Sequence, residues 1–235
     1  MEVKSGEIIP LANNCDQVND SLLNIAASCT RTKALGPGIR SAIWLQGCLK
    51  DCEGCYSPEW RLFKEARLVH PDELAMELLS NPEITGLTIS GGEPMLQAEE
   101  LIYLVSKMKK ERDIDVICFT GYELDRLLSC PPSEGISDFL TMIDLLIDGS
   151  YIKQLDNGKG LRGSTNQRLH YLSNRLTGFD FKGMQRKLDI QFRNGSVLFI
   201  GIPSNKNRNL IYKTIEIINR FESDYECIKT SFCRN

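Results

Sequence analysis

The chain has 235 residues, of which 42% are hydrophobic and 25% are charged, and its net charge at pH 7 is −3. This composition is typical of a globular protein and excludes a disordered or fibrous chain. The slight acidic excess also argues against a nucleic-acid binder, which would carry a surplus of basic residues.

The apolar runs and the cysteines of the chain indicate its cellular compartment. No run approaches the roughly 20 apolar residues that a membrane span needs, so no membrane partner is predicted. The start of the chain carries charges and no apolar run, which argues against a secretory signal. Nine cysteines therefore predict a reducing, cytoplasmic protein, in which closely spaced cysteines bind metal or serve catalysis.

The first half of the chain predicts an arm, a strand and a helix. Residues 1–20 are mixed and polar, which predicts a loosely held arm. A buried strand is predicted over residues 39–46, and a helix is predicted to begin at His70-Pro71, because proline suits the first helical position. The helix buries apolar residues that recur on one face, namely Leu74, Ala75, Leu78 and Leu79.

The middle of the chain alternates between the two kinds of element. Strands are predicted at 86–90, 115–120 and 143–148. Helices are predicted at 98–108 and 123–128. Strand–helix alternation at this spacing predicts βαβ units and a parallel sheet, and hence the α/β fold class.

The last part of the chain differs in pattern. Residues 187–193 alternate polar and apolar side chains, and Asn194-Gly195 then precedes a second apolar run, which together predict a β-hairpin. A helix with Ile211, Ile215, Ile218 and Phe221 on one face is predicted after it. The hairpin either covers an open edge of the sheet or serves as a platform for a partner or substrate. We expect the edge-covering role.

A cluster of three cysteines follows the first predicted strand. Cys48, Cys52 and Cys55 form C-x3-C-x2-C, and glycines at 47 and 54 allow the tight loop that this spacing requires. One interpretation is a structural zinc site, which needs four ligands and finds no fourth histidine or cysteine nearby. The favoured interpretation is a [4Fe–4S] cluster with three protein ligands, which leaves one iron open to a small molecule.

This loop, with Tyr56 after its last cysteine, resembles the radical S-adenosyl-L-methionine (SAM) superfamily. The resemblance implies that SAM binds the open iron through its amino and carboxylate groups. It also implies that one electron from the cluster cleaves SAM into methionine and a 5′-deoxyadenosyl radical. The remaining cysteines show no ligand spacing, and Cys118 and Cys130 are predicted to be small core residues. A second cluster at Cys227 and Cys233 would have only half of the usual ligand set.

A second motif follows the next predicted strand. Alone, Ser90-Gly91-Gly92-Glu93-Pro94 is a tight strand-to-helix turn. Beside the cysteine loop it is similar to the superfamily's GGEP motif, which implies that Gly91, Gly92, Glu93 and Pro94 hold the amino group of SAM. A carboxylate suits that role because charge-assisted hydrogen bonds to an ammonium are strong.

Further segments narrow the resemblance. They are GPGIR at 36–40, TGYEL at 120–124, LLIDG at 145–149 and LRGSTNQR at 161–168. In this order they resemble the activating enzymes of anaerobic ribonucleotide reductase, a branch that activates glycyl radical enzymes. Alone, such segments are turns and polar loops. With the resemblance, Thr120 and Asp148 are expected near SAM, and Asn166 and Arg168 near SAM or the substrate.

The resemblance implies a partial (β/α)6 radical SAM barrel over residues 34–184. It leaves residues 1–33 as an N-terminal extension and 185–235 as a C-terminal hairpin and helix packed on the core. The implied partners are a glycyl radical enzyme and an electron donor such as a flavodoxin or ferredoxin. Two alternatives stay open: a radical SAM enzyme that modifies a peptide or small molecule, and a non-catalytic, metal-stabilised binding module.

Overall fold

The computed structural model describes residues 21–193 and 196–203, together with residues 211 and 213. Nine strands lie in these ranges: β1 (Leu23–Thr32), β2 (Arg40–Leu45), β3 (Arg67–Val69), β4 (Gly86–Gly91), β5 (Asp115–Phe119), β6 (Leu145–Asp148), β7 (Arg168–Tyr171), β8 (Leu188–Arg193) and β9 (Ser196–Gly201). The α-helices are α1 (Pro71–Leu78), α2 (Ala98–Glu111), α3 (Leu124–Ser129) and α4 (Ile136–Thr141). Short 3-10 helices span Pro58–Arg61, Pro94–Gln97 and Lys153–Leu155.

Seven of the strands form one mixed sheet, in the order β3-β1-β2-β4-β5-β6-β7. Its centre is parallel, since β2 pairs with β4, β4 with β5 and β5 with β6 in that sense. The flanking strands β1, β3 and β7 are antiparallel to their neighbours. The predicted α/β class and parallel centre are confirmed. The parallel centre of the sheet consists of four strands, β2, β4, β5 and β6.

One face of the sheet carries the helices. Apolar side chains of α1 and α2 meet those of the central strands in the largest core cluster, where Leu74, Leu78, Leu101, Leu104 and Val105 are almost fully buried. The ring of His70 accepts a hydrogen bond from the backbone N–H of Asp72 and caps the start of α1. The predicted role of His70 at a helix start is therefore confirmed.

The opposite face is covered by residues 172–186 and by the hairpin of β8 and β9. Ile200 is fully buried in a cluster with Cys29 and Trp44. Within the described residues β8 and β9 pair with each other and add no strand to the main sheet. The hairpin itself is confirmed. It packs on a face of the sheet through Ile200 and also contacts the end of β1, so its expected role of covering an edge stays a prediction.

The hairpin also turns its polar side chains inward. Asp189 accepts hydrogen bonds from the hydroxyl of Thr32 and the backbone N–H of Lys33. Ile190 and Phe192, on the other side of β8, are 51% and 78% exposed. The hydrogen bonds with the end of β1 hold the polar side of β8 against the body of the protein.

Several further predictions have clear outcomes. Cys118 is fully buried as predicted, but the prediction for Cys130 is wrong because its side chain is exposed at the end of α3. The turn residues Asn194-Gly195, the pair Cys227 and Cys233, and the predicted C-terminal helix apart from residues 211 and 213 lie outside the described residues. In the described part of the chain, no helix is long and apolar enough to cross a membrane.

Candidate functional site

The carboxyl ends of the four parallel strands meet at one edge of the sheet. There β2 leads into the cysteine loop, β4 into the Gly-Gly-Glu-Pro turn, β5 into Thr120 and β6 into Gly149. Ligand sites of parallel α/β sheets lie at this edge. The topology therefore brings together motifs that are far apart in the sequence.

The cysteine loop is held by backbone hydrogen bonds to the short helix that follows it. The N–H groups of Gly47 and Cys48 donate to the carbonyls of Trp60 and Arg61, at 2.8 and 3.0 Å. Gly47 and Gly54 have φ values of 98° and 70°, a region that side chains other than glycine's seldom adopt. The predicted need for glycine at both positions is confirmed.

Two of the three sulfur atoms accept backbone hydrogen bonds. The N–H of Lys50 lies 3.3 Å from the sulfur of Cys48, and that of Ser57 lies 3.5 Å from the sulfur of Cys55. Burial raises the pKa of the Cys48 thiol to about 11 and also raises that of Cys55. Both groups are therefore thiols in the free protein, and metal binding must release their protons.

The Gly-Gly-Glu-Pro turn packs directly against the start of the cysteine loop. The N–H of Gly92 donates to the carbonyl of Leu45 at 2.7 Å, and the N–H of Glu93 donates to that of Gly47 at 2.8 Å. A Cβ atom on Gly92 would lie 2.1 Å from the Gly47 oxygen. The glycine is therefore required by this close approach of two backbones.

Glu93 carries a buried carboxylate, with only 1% of the residue exposed. It accepts hydrogen bonds from the Thr120 hydroxyl and the Gly121 N–H, both at 2.8 Å, and from the Met95 N–H at 3.1 Å. Burial raises the pKa of this carboxyl group despite these bonds. A cation that reached Glu93 would therefore be attracted strongly, because the carboxylate is poorly solvated.

An open cavity with about 1000 Å³ of free space lies in front of these groups. Most of the predicted site residues line it, namely Cys48, Cys52, Cys55, Tyr56, Gly91, Gly92, Glu93 and Thr120. Pro94 does not; it is buried at the start of the short helix Pro94–Gln97.

Asp148, Asn166 and Arg168 line a neighbouring cavity that shares Lys50, Gly121 and Gly149 with the first. The fully buried Asp148 carboxylate accepts hydrogen bonds from the Arg168 guanidinium at 2.7 and 3.1 Å. The Asn166 amide donates to the Ser150 carbonyl at 2.8 Å. The structure thus groups these three residues together, beside the cysteine cavity and outside its lining.

Sequence reasoning missed several residues that line the cysteine cavity, among them Lys50, Gln167, Gly201 and Ile202. Lys50 and Gln167 lie within motifs that had been singled out, and Gly201 and Ile202 come from the end of the hairpin. Gln167 donates to the Gly149 carbonyl and accepts from the N–H groups of Gly163 and Ser164, so it braces the loop. Gly201 and Ile202 had no signal in the sequence, because only the folded hairpin brings them to the cavity.

The donor set fits an iron–sulfur cluster better than a single metal ion. In the part of the chain that the structure describes, no three His, Cys, Asp or Glu side chains are grouped so that they could hold one ion. Three cysteine ligands of a [4Fe–4S] cluster bind three different irons and need not converge on one point. The hydrogen bonds to Cys48 and Cys55 are of the kind that tunes such clusters.

Comparison with known proteins supports the same chemistry. Residues 34–170 match the family described as a 4Fe–4S single cluster domain. Two anaerobic ribonucleoside-triphosphate reductase-activating proteins are each similar over 57% of this chain. The protein of Haemophilus influenzae is 35% identical, with 89% of its own length covered. The protein of enterobacteria phage T4 is 36% identical, with 85% of its own length covered. A pyruvate formate-lyase-activating enzyme of Staphylococcus aureus is 37% identical over 59% of this chain and 56% of its own length.

Proposed function

The chain belongs to the 4Fe–4S single cluster domain family and is a radical SAM enzyme of the glycyl-radical-activating type, and from this premise we propose that it activates an anaerobic ribonucleotide reductase. In the proposed reaction, SAM is cleaved reductively and a hydrogen atom is abstracted from a glycine of the reductase. The observation that carries the proposal is the meeting of the three cysteines, Glu93 and Thr120 at one cavity.

We assign the roles of the site residues as follows. Cys48, Cys52 and Cys55 would hold a [4Fe–4S] cluster, which would supply the one electron that cleaves SAM. Glu93 attracts the ammonium group of SAM, and Gly91 and Gly92 allow the backbone to approach it. Thr120 orients the Glu93 carboxylate through its 2.8 Å hydrogen bond.

The neighbouring cavity extends this proposal. Asp148, Asn166 and Arg168 would contact the part of SAM, or of the substrate, that projects away from the cluster. Pro94 has a supporting role, because its fixed φ suits the first position of a helix. The partial barrel that the resemblance implies is the finer proposal for the fold, and the four parallel strands support it.

The proposal is tested anaerobically. The protein is reconstituted with iron and sulfide, reduced with dithionite and mixed with SAM, and 5′-deoxyadenosine is measured. We expect product from the wild type and from Cys130→Ala, whose thiol is exposed on α3, and none from Cys52→Ala. A protein that holds zinc and forms no product would refute the enzyme proposal and favour the binding module.

The partner is tested in the same mixture. Adding an anaerobic ribonucleotide reductase from the same organism should give the doublet of a glycyl radical in electron paramagnetic resonance spectra. SAM cleavage without that signal would shift the proposal to the peptide or small-molecule alternative. Replacing dithionite with a reduced flavodoxin or ferredoxin tests the proposed electron donor.

A further inference from the structure

A buried ion pair lies between the cysteine loop and the C-terminal hairpin. Asp156 and Arg186 approach to 2.9 Å, and their side chains are 0% and 5% exposed. Arg186 lies just before β8, beyond the residues that match the family. The pair therefore joins Asp156, inside the matched residues, to an arginine that lies outside them.

Asp156 connects this pair to the cysteine loop. The hydroxyl of Tyr56, the residue after Cys55, donates to the Asp156 carboxylate at 2.5 Å. The ring of Tyr56 also packs on that of Tyr151, with centroids 4.9 Å apart. The Asp156 carboxylate therefore holds the residue that directly follows Cys55.

Arg186 connects the pair to the rest of the cavity wall. Its guanidinium donates to the carbonyls of Arg162 at 2.6 Å, Gly163 at 3.1 Å and Pro203 at 3.3 Å. Pro203 directly follows Gly201 and Ile202, which line the cysteine cavity. One side chain thus ties together the entry of the hairpin, its exit and the loop at 160–163.

We propose that Arg186 is a positioning residue of the cluster site, which holds the cysteine loop in place through Asp156 and Tyr56. In this role, the C-terminal extension forms part of the wall of the cysteine cavity and helps to hold the cluster site in place. Because an arginine fork is planar and rigid, it fixes several carbonyls in one arrangement, whereas the three donors of a lysine sit on a flexible stem. The proposal rests on the proposed function for its relevance, since the loop is the assigned cluster site.

The test measures how accessible the cysteine loop is in the metal-free, full-length protein. Each cysteine is alkylated under native conditions, and its rate is followed by peptide mass spectrometry. Cys118, fully buried in the main core, reports global unfolding. Arg186→Met and the milder Tyr56→Phe should each raise the alkylation rate of Cys55 about five- to tenfold, the effect of losing a hydrogen bond, while Cys118 is unchanged.

Two further variants separate positioning from general stability. Arg186→Lys keeps the charge opposite Asp156 and should restore part of the protection at Cys55. Arg175→Met removes an arginine whose side chain is 42% exposed and pairs with Asp113, and it should leave Cys55 as in the wild type. The double variant Tyr56→Phe/Arg186→Met should react no faster than Arg186→Met alone, because both changes break one network.

The outcomes decide the proposal whatever the enzyme assay shows. It is overturned if Cys55 is unaffected, if Cys118 accelerates in step with it, or if the two single effects multiply in the double variant. In reconstituted protein, Arg186→Met should also alter the change that SAM causes in the spectrum of the reduced cluster. If wild-type protein fails to cleave SAM but the alkylation pattern holds, the proposed function fails and the positioning role stands.

Discussion

Replacing Gly92 with alanine tests the close contact between the Gly-Gly-Glu-Pro turn and the cysteine loop. The new Cβ would lie 2.1 Å from the Gly47 oxygen, 2.7 Å from the Gly47 carbon and 2.9 Å from the Trp60 oxygen. All three are backbone atoms, so the turn must move away by about 1 Å to reach ordinary contact distances. That movement would break the hydrogen bonds from the Gly92 and Glu93 N–H groups to Leu45 and Gly47.

The expected loss can be estimated from those contacts. Two backbone hydrogen bonds contribute about 1 kcal/mol each, and the residual overlap adds about 1 to 2 kcal/mol, as overpacking does elsewhere. We therefore expect Gly92→Ala to lower the free energy of unfolding by about 3 kcal/mol. In a chain of this size this corresponds to a drop in Tm of about 6 to 12 °C.

Thermal and urea unfolding of the metal-free protein measures this effect without reference to the cluster. Gly178→Ala is the matched control, because a Cβ there meets nothing within 4 Å, and it should be neutral or stabilise by up to about 1 kcal/mol. Iron and sulfide content after reconstitution should fall in Gly92→Ala only. If both variants had the same Tm, the contact between turn and loop would not be as tight as described, and the explanation for Gly92 would be refuted.

Three further predictions concern buried charges. Arg40→Met should lower the free energy of unfolding by about 3 kcal/mol or more. Arg40 pairs with Asp115 at 2.6 Å, and the variant leaves Asp115 as a partly buried charge without its partner. A loss below about 1 kcal/mol in urea unfolding would contradict this. Burial raises the pKa of Asp148, but hydrogen bonds from Arg168, Leu124 and His170 lower it overall. The contribution of this carboxylate to stability is therefore present above about pH 4 and is lost as the pH falls through its folded-state pKa. Asp148→Asn should accordingly flatten the acid limb of a stability–pH curve, and an unchanged limb would refute the assignment. Glu93→Gln should weaken SAM binding to the reconstituted protein about 10- to 100-fold, because a charge-assisted hydrogen bond is lost. Calorimetry measures the Kd, and an unchanged Kd would exclude Glu93 from the ammonium site.

The sequence predicted the central strands and the helices α1, α2 and α3, but it missed α4 and the flanking strands β1, β3 and β7. The central strands are short apolar runs between helices with clear apolar faces, and such segments are easily recognised. In β1 the pairing with β2 shifts register between Ile25 and Ala27 and again between Cys29 and Thr32. Each such irregularity interrupts the two-residue alternation by which a strand is recognised. A strand with two interruptions in ten residues therefore has no regular pattern to find.

The hairpin shows a different limit of pattern reasoning. Alternation in β8 predicts a strand, but β9 is apolar on both faces, with Val197 and Phe199 alternating with Leu198 and Ile200. Such a strand does not indicate which face lies inward. Here the polar face of β8 lies inward because Asp189 pairs with donors at the end of β1, a contact between residues more than 150 positions apart.

The site was predictable to the extent that its residues lie within short motifs. The cysteine loop, the Gly-Gly-Glu-Pro turn and Thr120 each directly follow a parallel strand, so knowing the strand order is enough to bring them to one edge. The separation of the Asp148 group from the cysteine cavity, and the contribution of the hairpin to that cavity, depend on side-chain packing instead. No spacing rule encodes them.

The motifs that resemble the activating enzymes have two distinct physical roles. Arg40, from the Gly-Pro-Gly-Ile-Arg segment, is fully buried at the amino ends of the strands, where it contacts Thr88 and Asp115. It lies at the opposite end of the sheet from the cysteine loop, so it stabilises the strands without reaching the cavity. Among molecules that remain folded, Arg40→Met should therefore retain the wild-type affinity for SAM, whereas Glu93→Gln should lose affinity while the protein stays folded. A variant of Arg40 that weakened SAM binding in fully folded protein would show that the two ends of the sheet are coupled, and this division of roles would be wrong.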